Sequence, residues 1–295
     1  MFETSQRAEN DAYIKELAYK TAIEAAIRAG NLVLRHWPGS PNLRYNTGHN
    51  MQIIATKHGV GNYATPADLE SEGVILDLIT AESLFEEHGI LTEESDGIRS
   101  DSGWQWYIDP LDGTLPFSHG LTQFGISIGL LRGEEPVVGV IAMPALGQLI
   151  AARKGHGVSL YSFTDKWLAG LRINHQPFSL GTAMIACDVG YDGRAENYEN
   201  IFARLSEKVG YIVSYCSSSA SNFYLTLGHL SAYVHTTPTA YDIAAASAII
   251  TELGGVVTDL RGEPINWQGA QSRSYLASLS PDIHRQVLAA VKGLE

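Results

Sequence analysis

The stretch Tyr107-Ile-Asp-Pro-Leu-Asp-Gly-Thr-Leu-Pro-Phe117 sets two aspartates, Asp109 and Asp112, three residues apart around a proline. Residues 104–108 just before it read as a β-strand that delivers Asp109 to a sheet edge. Pro110 fixes its own φ and is expected to stop that strand. Asp112-Gly113-Thr114 should then turn, leaving both carboxylates and the Leu111 carbonyl facing one point. That is the hard-oxygen set Mg²⁺ prefers. Gly113 lets the backbone approach a ligand closely. The Gly113 and Thr114 amides can point at a phosphate, and the Thr114 hydroxyl can orient a water. The same residues also suit an ordinary Asp-rich turn, with the side chains bonded to their own backbone. Their surroundings decide between the two readings.

Upstream, apolar residues from Ile14 to Val33 recur at helical spacing, predicting a helix over 11–37 that ends at Trp37-Pro38-Gly39. Residues 41–50 read as a loop, 51–56 as a strand and 57–62 as a tight turn. A second helix is expected over 66–85, with Thr65 as N-cap and Pro66 as its first residue. His88-Gly-Ile-Leu-Thr-Glu-Glu-Ser95 reads as a short strand ending in Glu93 and Glu94. Downstream, strands are expected at 124–131, 137–142 and 149–152. The second half alternates strands at 183–187, 211–215, 232–235 and 256–258 with helices at 197–208, 219–227, 241–253 and 281–294. A boundary near 167–177 divides the chain into an N-terminal α+β domain, 1–170, and a C-terminal α/β domain, 171–295.

Bulk properties narrow the function classes. A net charge of -12 over 295 residues argues against general nucleic-acid affinity, which needs a basic face, and suits a pocket that holds cations. The two cysteines, Cys187 and Cys216, form no CxxC pair, so a thiolate zinc site is not expected and a reducing compartment is. A polar N-terminus and the lack of an 18-residue apolar run predict a cytoplasmic protein without a membrane span.

Three further acidic elements accompany the opening stretch: Ala64-Thr-Pro-Ala-Asp68, Leu91-Thr-Glu-Glu-Ser95, and Tyr241-Asp-Ile-Ala-Ala-Ala246 followed by Glu252-Leu-Gly-Gly255. Each has a plain explanation alone. Asp68 and Asp242 suit first helical turns, and Glu93 and Glu94 suit a solvated strand end. In this order and spacing, the four elements resemble the inositol monophosphatase family, within the fold superfamily of fructose-1,6-bisphosphatase. The resemblance runs from about Lys57 to Pro264.

The resemblance implies a layered αβαβα sandwich and a Mg²⁺-dependent phosphatase of small polyol, sugar or amino-alcohol phosphates. It implies that Glu93, Asp109 and the Leu111 carbonyl hold one ion, and that Asp109, Asp112 and Asp242 hold a second. Glu93 also serves a third. Mn²⁺ would substitute and Li⁺ would inhibit. Asp68 and Thr114 would orient and deprotonate the attacking water, the Gly113 and Thr114 amides would bind phosphate, and Glu94 would support the site. Lys57 matches a family lysine near the metals and reads equally as a solvated turn residue. The family also implies a homodimer.

The sequence departs from the family pattern at three places. Leu115-Pro116 alters the wall beside the phosphate. The segment facing substrate hydroxyls is Cys216-Ser-Ser-Ser-Ala220, where Ser217 either donates to substrate or caps a helix. His235 stands where the family has a substrate-contacting glutamate, seven residues before Asp242. A histidine can donate where a glutamate only accepts, so myo-inositol 1-phosphate is not the expected substrate. A structural role for His235 stays equally open. Local texture around 110–121 and 136–148 also looks like the histidinol-phosphatase branch, with 3'(2'),5'-bisphosphate nucleotidases a further alternative. A non-catalytic metal- or sugar-phosphate-binding protein is the reading from another class. Retention of Asp68, Glu93, Asp109, Asp112, Thr114 and Asp242 argues against it.

Gly125-Ile-Ser-Ile-Gly129 matches a serine-hydrolase pattern, but alternation makes it a strand throughout, with Ser127 a packing residue. His88, His119 and His156 lack paired zinc spacing. Trp104 and Trp106 read as half-buried sheet residues.

Overall fold

A computed structural model describes residues 2–39, 53–56, 63–164, 166–173, 179–189, 198–267 and 274–294. The loop expected at 41–50, the turn at 57–62 and Lys57 within it lie outside these residues.

Helix α1 (Phe2–His36) begins nine residues before the expected start, because no Gly or Pro interrupts the polar stretch ahead of the apolar stripe. Its buried face is built from Ala18, Ala22, Ala25, Ala26, Ala29 and Val33. Strands β1 (Ala55–Thr56) and β2 (Tyr63–Ala64) form a small antiparallel pair. Helix α2 (Pro66–Thr80) starts where predicted and ends early, giving way to a 3₁₀ turn at Ser83–Phe85. Next come β3 (Gly89–Thr92), β4 (Trp104–Asp112), the short α3 (Thr114–Ser118), β5 (Gly125–Arg132), β6 (Glu135–Met143), β7 (Gln148–Arg153), β8 (Val158–Ser162) and β9 (Lys166–Leu171). These strands make one seven-stranded sheet in chain order, antiparallel except for β3 beside β4.

The remainder comprises β10 (Met184–Asp188), α4 (Tyr198–Ser206), β11 (Tyr211–Val213), α5 (Ser218–Thr226), β12 (Ala232–His235), α6 (Ala240–Glu252), β13 (Val256–Thr258), β14 (Tyr275–Ser278) and α7 (Pro281–Val291). Its five-stranded sheet is mixed, in the order β11-β10-β12-β14-β13. Three apolar cores separate the layers. The first joins α1 and α2 to one face of the large sheet. The second fills the space between the two sheets around α5 and α6. The third lies under α4 and α7. The architecture is the expected αβαβα sandwich, with residues from both halves of the chain sharing the central core. Trp104 and Trp106 are fully buried in the first core rather than half-buried, since helices cover that face.

Two details of this packing place the site. Helix α6 lies directly on the large sheet because Gly129 and Gly139 present no side chain to it. A Cβ on Gly129 would sit 2.7 Å from the Ala245 nitrogen, and one on Gly139 would strike the Ala245 carbonyl. Small residues on both sides let the helix approach, which fixes Asp242 at its N-terminal end above the strand that carries Asp109.

The second detail corrects an expectation: Pro110 does not stop β4, which runs on to Asp112. Asp109 pairs with Ser127 and Asp112 with Gly125, so three residue steps on β4 match two on β5. That is a β-bulge, where a missing N–H is tolerated. In a regular strand, residues three apart point to opposite faces. The extra residue of the bulge restores parity and lets both aspartates face the same cleft.

Candidate active site

Asp109, Asp112 and Asp242 offer carboxylate oxygens that all lie within 4.8 Å of one another, the one such cluster of metal-ligating side chains among the described residues. Asp109 and Asp112 are buried, and Asp242 is half-buried. Each acid is held by backbone donors. The Leu111 amide donates to Asp109 Oδ1 at 3.1 Å. The Ser218 and Ser219 amides donate to the two oxygens of Asp112 at 3.1 and 2.6 Å, and the Ser217 hydroxyl adds a third bond. The Thr239 amide donates to Asp242 Oδ2 at 2.7 Å, closing a capping box at the start of α6.

The cluster is electrostatically loaded. Burial first, then the charges of Asp112 and Glu93, push the Asp242 carboxyl up to about 8. Burial raises Asp112 as well, against the bonds from Ser217, Ser218 and Ser219. Carboxylates crowded together and raised in proton affinity by burial form a site that favours a bound cation.

Beside the cluster, Thr114 Oγ1 lies 3.0 Å from Asp68 Oδ1 and 3.1 Å from the Leu111 carbonyl. Asp68 is fully buried, and its other oxygen accepts from the Thr65 amide at 2.8 Å and the Thr65 hydroxyl at 2.6 Å. Burial raises its carboxyl; the Thr65 and Thr114 bonds oppose this, and the charge of Glu93 adds to it. Gly113 links the two groups with φ +80°, and a Cβ there would lie 2.7 Å from the Gln123 carbonyl and 2.9 Å from Ser217 Cβ. Only glycine meets both conditions without strain.

The structure therefore joins Asp109, Asp112, Asp242, Ser217, Asp68, Thr114, Gly113 and the Leu111 carbonyl in one constellation. Glu93 is half-buried and stands outside the three-carboxylate set, yet its charge acts on Asp68, Asp242 and Tyr241. Glu94 contributes its amide, which donates to Glu72 Oε2 at 3.0 Å. Ser217 both touches Asp112 and caps α5 by accepting from the Ala220 amide, so its two readings coexist. His235 is buried at the end of β12, and its Nδ1 accepts from the Thr237 amide at 3.2 Å. That leaves the proton on Nε2, and burial lowers the ring to about 3, keeping it neutral. Ser127 is a packing residue that donates to the Tyr241 carbonyl at 3.0 Å, tying the sheet to α6.

One contributor escaped the sequence reading. Glu72 is buried on α2 and bonds both the Thr92 hydroxyl, at 2.5 Å, and the Glu94 amide. It thereby fixes the strand end that carries Glu93. Its spacing of four from Asp68 put both acids on one helical face, a signal available in the sequence.

Comparison with known proteins identifies the family. The model of the inositol monophosphatase family matches residues 15–294. A fructose-1,6-bisphosphatase/inositol-1-monophosphatase of Thermotoga maritima is 30% identical over 271 residues, covering 92% of this chain and 94% of the relative. A protein named Nus factor SuhB, from Pasteurella multocida, is 27% identical over 276 residues, with coverage of 92% and 94%. The solved structure of a Thermotoga maritima IMPase superposes with a TM-score of 0.75 at 26% identity, covering 92% of this chain and 96% of that one. The chain belongs to the inositol monophosphatase family of phosphatases.

Proposed function

We propose that the protein hydrolyses a small phosphate monoester, a polyol, sugar or amino-alcohol phosphate, with Mg²⁺ as cofactor. The observation that carries this reading is the convergence of Asp109, Asp112 and Asp242 beside the hydrogen-bonded Asp68–Thr114 pair. The donor set fits the ion, being all oxygen and anionic, with Asp242 raised to about 8 by burial first and then by the charges of Asp112 and Glu93. Asp109, Asp112, Asp242, Glu93 and the Leu111 carbonyl would hold two or three Mg²⁺, with Mn²⁺ as substitute and Li⁺ as inhibitor. Bound there, the ions supply Lewis-acid neutralisation of phosphoryl charge and acidify a neighbouring water.

The chain's own groups do the rest. The Thr114 hydroxyl spends its proton on Asp68 or the Leu111 carbonyl, so its lone pairs remain to accept from a water in the cleft. As that water attacks phosphorus and the ester P–O bond breaks, its proton passes to Thr114 Oγ1 and the threonine proton to Asp68 Oδ1; the departing alkoxide is protonated through solvent and leaves as the alcohol, and Asp68 returns its proton to solvent. Burial makes Asp68 the better acceptor for this step. The Gly113 and Thr114 amides face the phosphoryl oxygens. The segments 1–170 and 171–295 act as two halves of the site, the first giving Asp68, Glu93, Asp109, Asp112 and Thr114, the second Asp242, Ser217 and His235.

A neutral His235 with its proton on Nε2 offers a donor where a glutamate would accept, which supports a substrate other than myo-inositol 1-phosphate. Histidinol phosphate and 3'(2'),5'-bisphosphate nucleotides are the alternative substrates. The proposal also includes a cytoplasmic homodimer. Its support is the family, two free thiols, and the lack of a described helix long and apolar enough to cross a membrane. Phosphate release should be measured with Mg²⁺ and with EDTA. The panel would hold inositol 1-phosphate, histidinol phosphate, fructose 1,6-bisphosphate, adenosine 3',5'-bisphosphate and several sugar phosphates. Metal-dependent release from at least one supports the reading. Silence across the panel with Mg²⁺ binding intact favours a binding protein instead.

A further inference from the structure

Asp188 ends β10 with 4% of its surface exposed. Most of its carboxylate's partners lie in one short segment, and the Tyr233 hydroxyl adds a further bond. Oδ1 accepts from the Ser214 hydroxyl and from the Cys216 amide at 3.3 Å, and Oδ2 accepts from the Ser221 hydroxyl at 3.1 Å. Both oxygens are engaged by protein donors. Within the same segment, Ser217, Ser218 and Ser219 turn the other way and deliver three donors to Asp112. Between the two sets of bonds Cys216 holds φ +53°, the one non-glycine residue in the left-handed region among those described. Such a conformation is strained for a residue with a Cβ and persists only where its surroundings enforce it.

We propose that Asp188 is a positioning residue: it clamps residues 214–221 through the strained turn at Cys216, so that the Ser217–Ser219 donors hold Asp112 oriented toward the bound cation. The inference rests on the reading of Asp112 as a metal ligand. Partners that orient metal ligands typically carry about 10–100-fold in metal affinity.

The test is calorimetric titration of the full chain with Mg²⁺ alone, no substrate present, alongside melting curves in EDTA. Asp188→Ala should weaken Mg²⁺ binding about 10–100-fold. Asp188→Asn keeps an acceptor for Ser214 and Cys216 and a donor for Ser221, and should retain most of the affinity. Adding Cys216→Gly to Asp188→Ala should recover much of the loss, because glycine adopts positive φ without enforcement. Should Asp188→Ala not fold, Ser214→Ala removes one of these bonds from an exposed side chain. It should weaken binding several-fold, again restored by Cys216→Gly. Wild-type binding with unchanged affinity in Asp188→Ala, or in Ser214→Ala where that is the variant used, overturns this inference alone. No Mg²⁺ binding by the wild type overturns the metal-site reading and this inference with it.

Discussion

Replacing Asp242 by asparagine should make the protein more stable in EDTA and less responsive to Mg²⁺. The folded carboxyl is raised from 3.8 to about 8, by burial and by the charges of Asp112 and Glu93. At pH 7 the unfolded chain has released this proton and the folded chain retains it. That gap of about three pH units costs up to about 4 kcal/mol, at about 1.4 kcal/mol per unit. Asp242 keeps some contact with solvent, and screening reduces the figure to about 2 kcal/mol. Asparagine is isosteric, carries no charge, and its amide oxygen still accepts from the Thr239 amide. The variant should therefore melt about 5 °C higher than wild type in EDTA, at about 2–4 °C per kcal/mol for a chain of this size. The sign fixes the pH dependence. The folded state binds more protons than the unfolded one between about 4 and 8, so the wild-type deficit grows as pH rises through that window and is constant above it. Mg²⁺ at 100-fold excess over its Kd should return about 2.7 kcal/mol to the wild type and little to the variant, so the order of melting temperatures narrows or reverses. Scanning calorimetry of both proteins, with EDTA and with Mg²⁺, reads all of this. A folded Asp242→Asn that melts below wild type in EDTA, or that gains equally from Mg²⁺, refutes the reasoning.

Three further expectations follow from the same geometry. Asp68→Asn or Thr114→Ala should lower kcat about 10²–10⁴-fold with KM little changed, while Thr114→Ser keeps most of the rate; steady-state kinetics checks this, and a wild-type kcat in Thr114→Ala removes the water-activating pair. His235→Glu should shift preference toward inositol phosphates in a competition assay, and an unchanged ranking would show that His235 does not govern selectivity. His88, lowered to about 4 by burial and by Arg132, is stacked on Trp104 with its Nδ1 unpaired. Held neutral in the fold but protonated when unfolded, it should cost stability as pH falls from about 6.5 to 4, up to about 1.4 kcal/mol per unit. His88→Phe should flatten that part of the denaturation profile, and an identical acid limb in both proteins would contradict it.

Much of this architecture is legible in the sequence, for identifiable reasons. Helix α1 shows itself by an alanine-rich stripe at helical spacing. Strands β12 and β13 fall where expected because turn residues bound them closely. Strands β8 and β9 are not legible in the sequence because β9 is the open edge of the large sheet and β8 beside it is mostly half-buried. With Trp167 and Leu168 exposed there, alternation no longer marks a face. Strand β14 was missed for the opposite reason, since its four residues are all buried and so carry no alternation. The convergence of residues was legible as residue types: Asp109, Asp112 and Asp242 lie together, with Asp68, Thr114 and Gly113 beside them and Glu93 outside the three-carboxylate set. How two aspartates three apart come to share a face was not. It depends on a bulge that Pro110 conceals by looking like a strand terminator. The placement of Asp188 is hidden as well, because its partners lie distant in the chain.

The most direct test of the central claim is phosphate release by wild type and Asp109→Asn measured side by side, at saturating Mg²⁺, on every member of the substrate panel. The account predicts metal-dependent turnover by the wild type on at least one ester. It predicts a fall of roughly 10³-fold in the variant, equivalent to about 4 kcal/mol of transition-state stabilisation, with the melting transition retained. An Asp109→Asn protein that keeps more than about a tenth of wild-type turnover, a loss under about 1.4 kcal/mol, would contradict it.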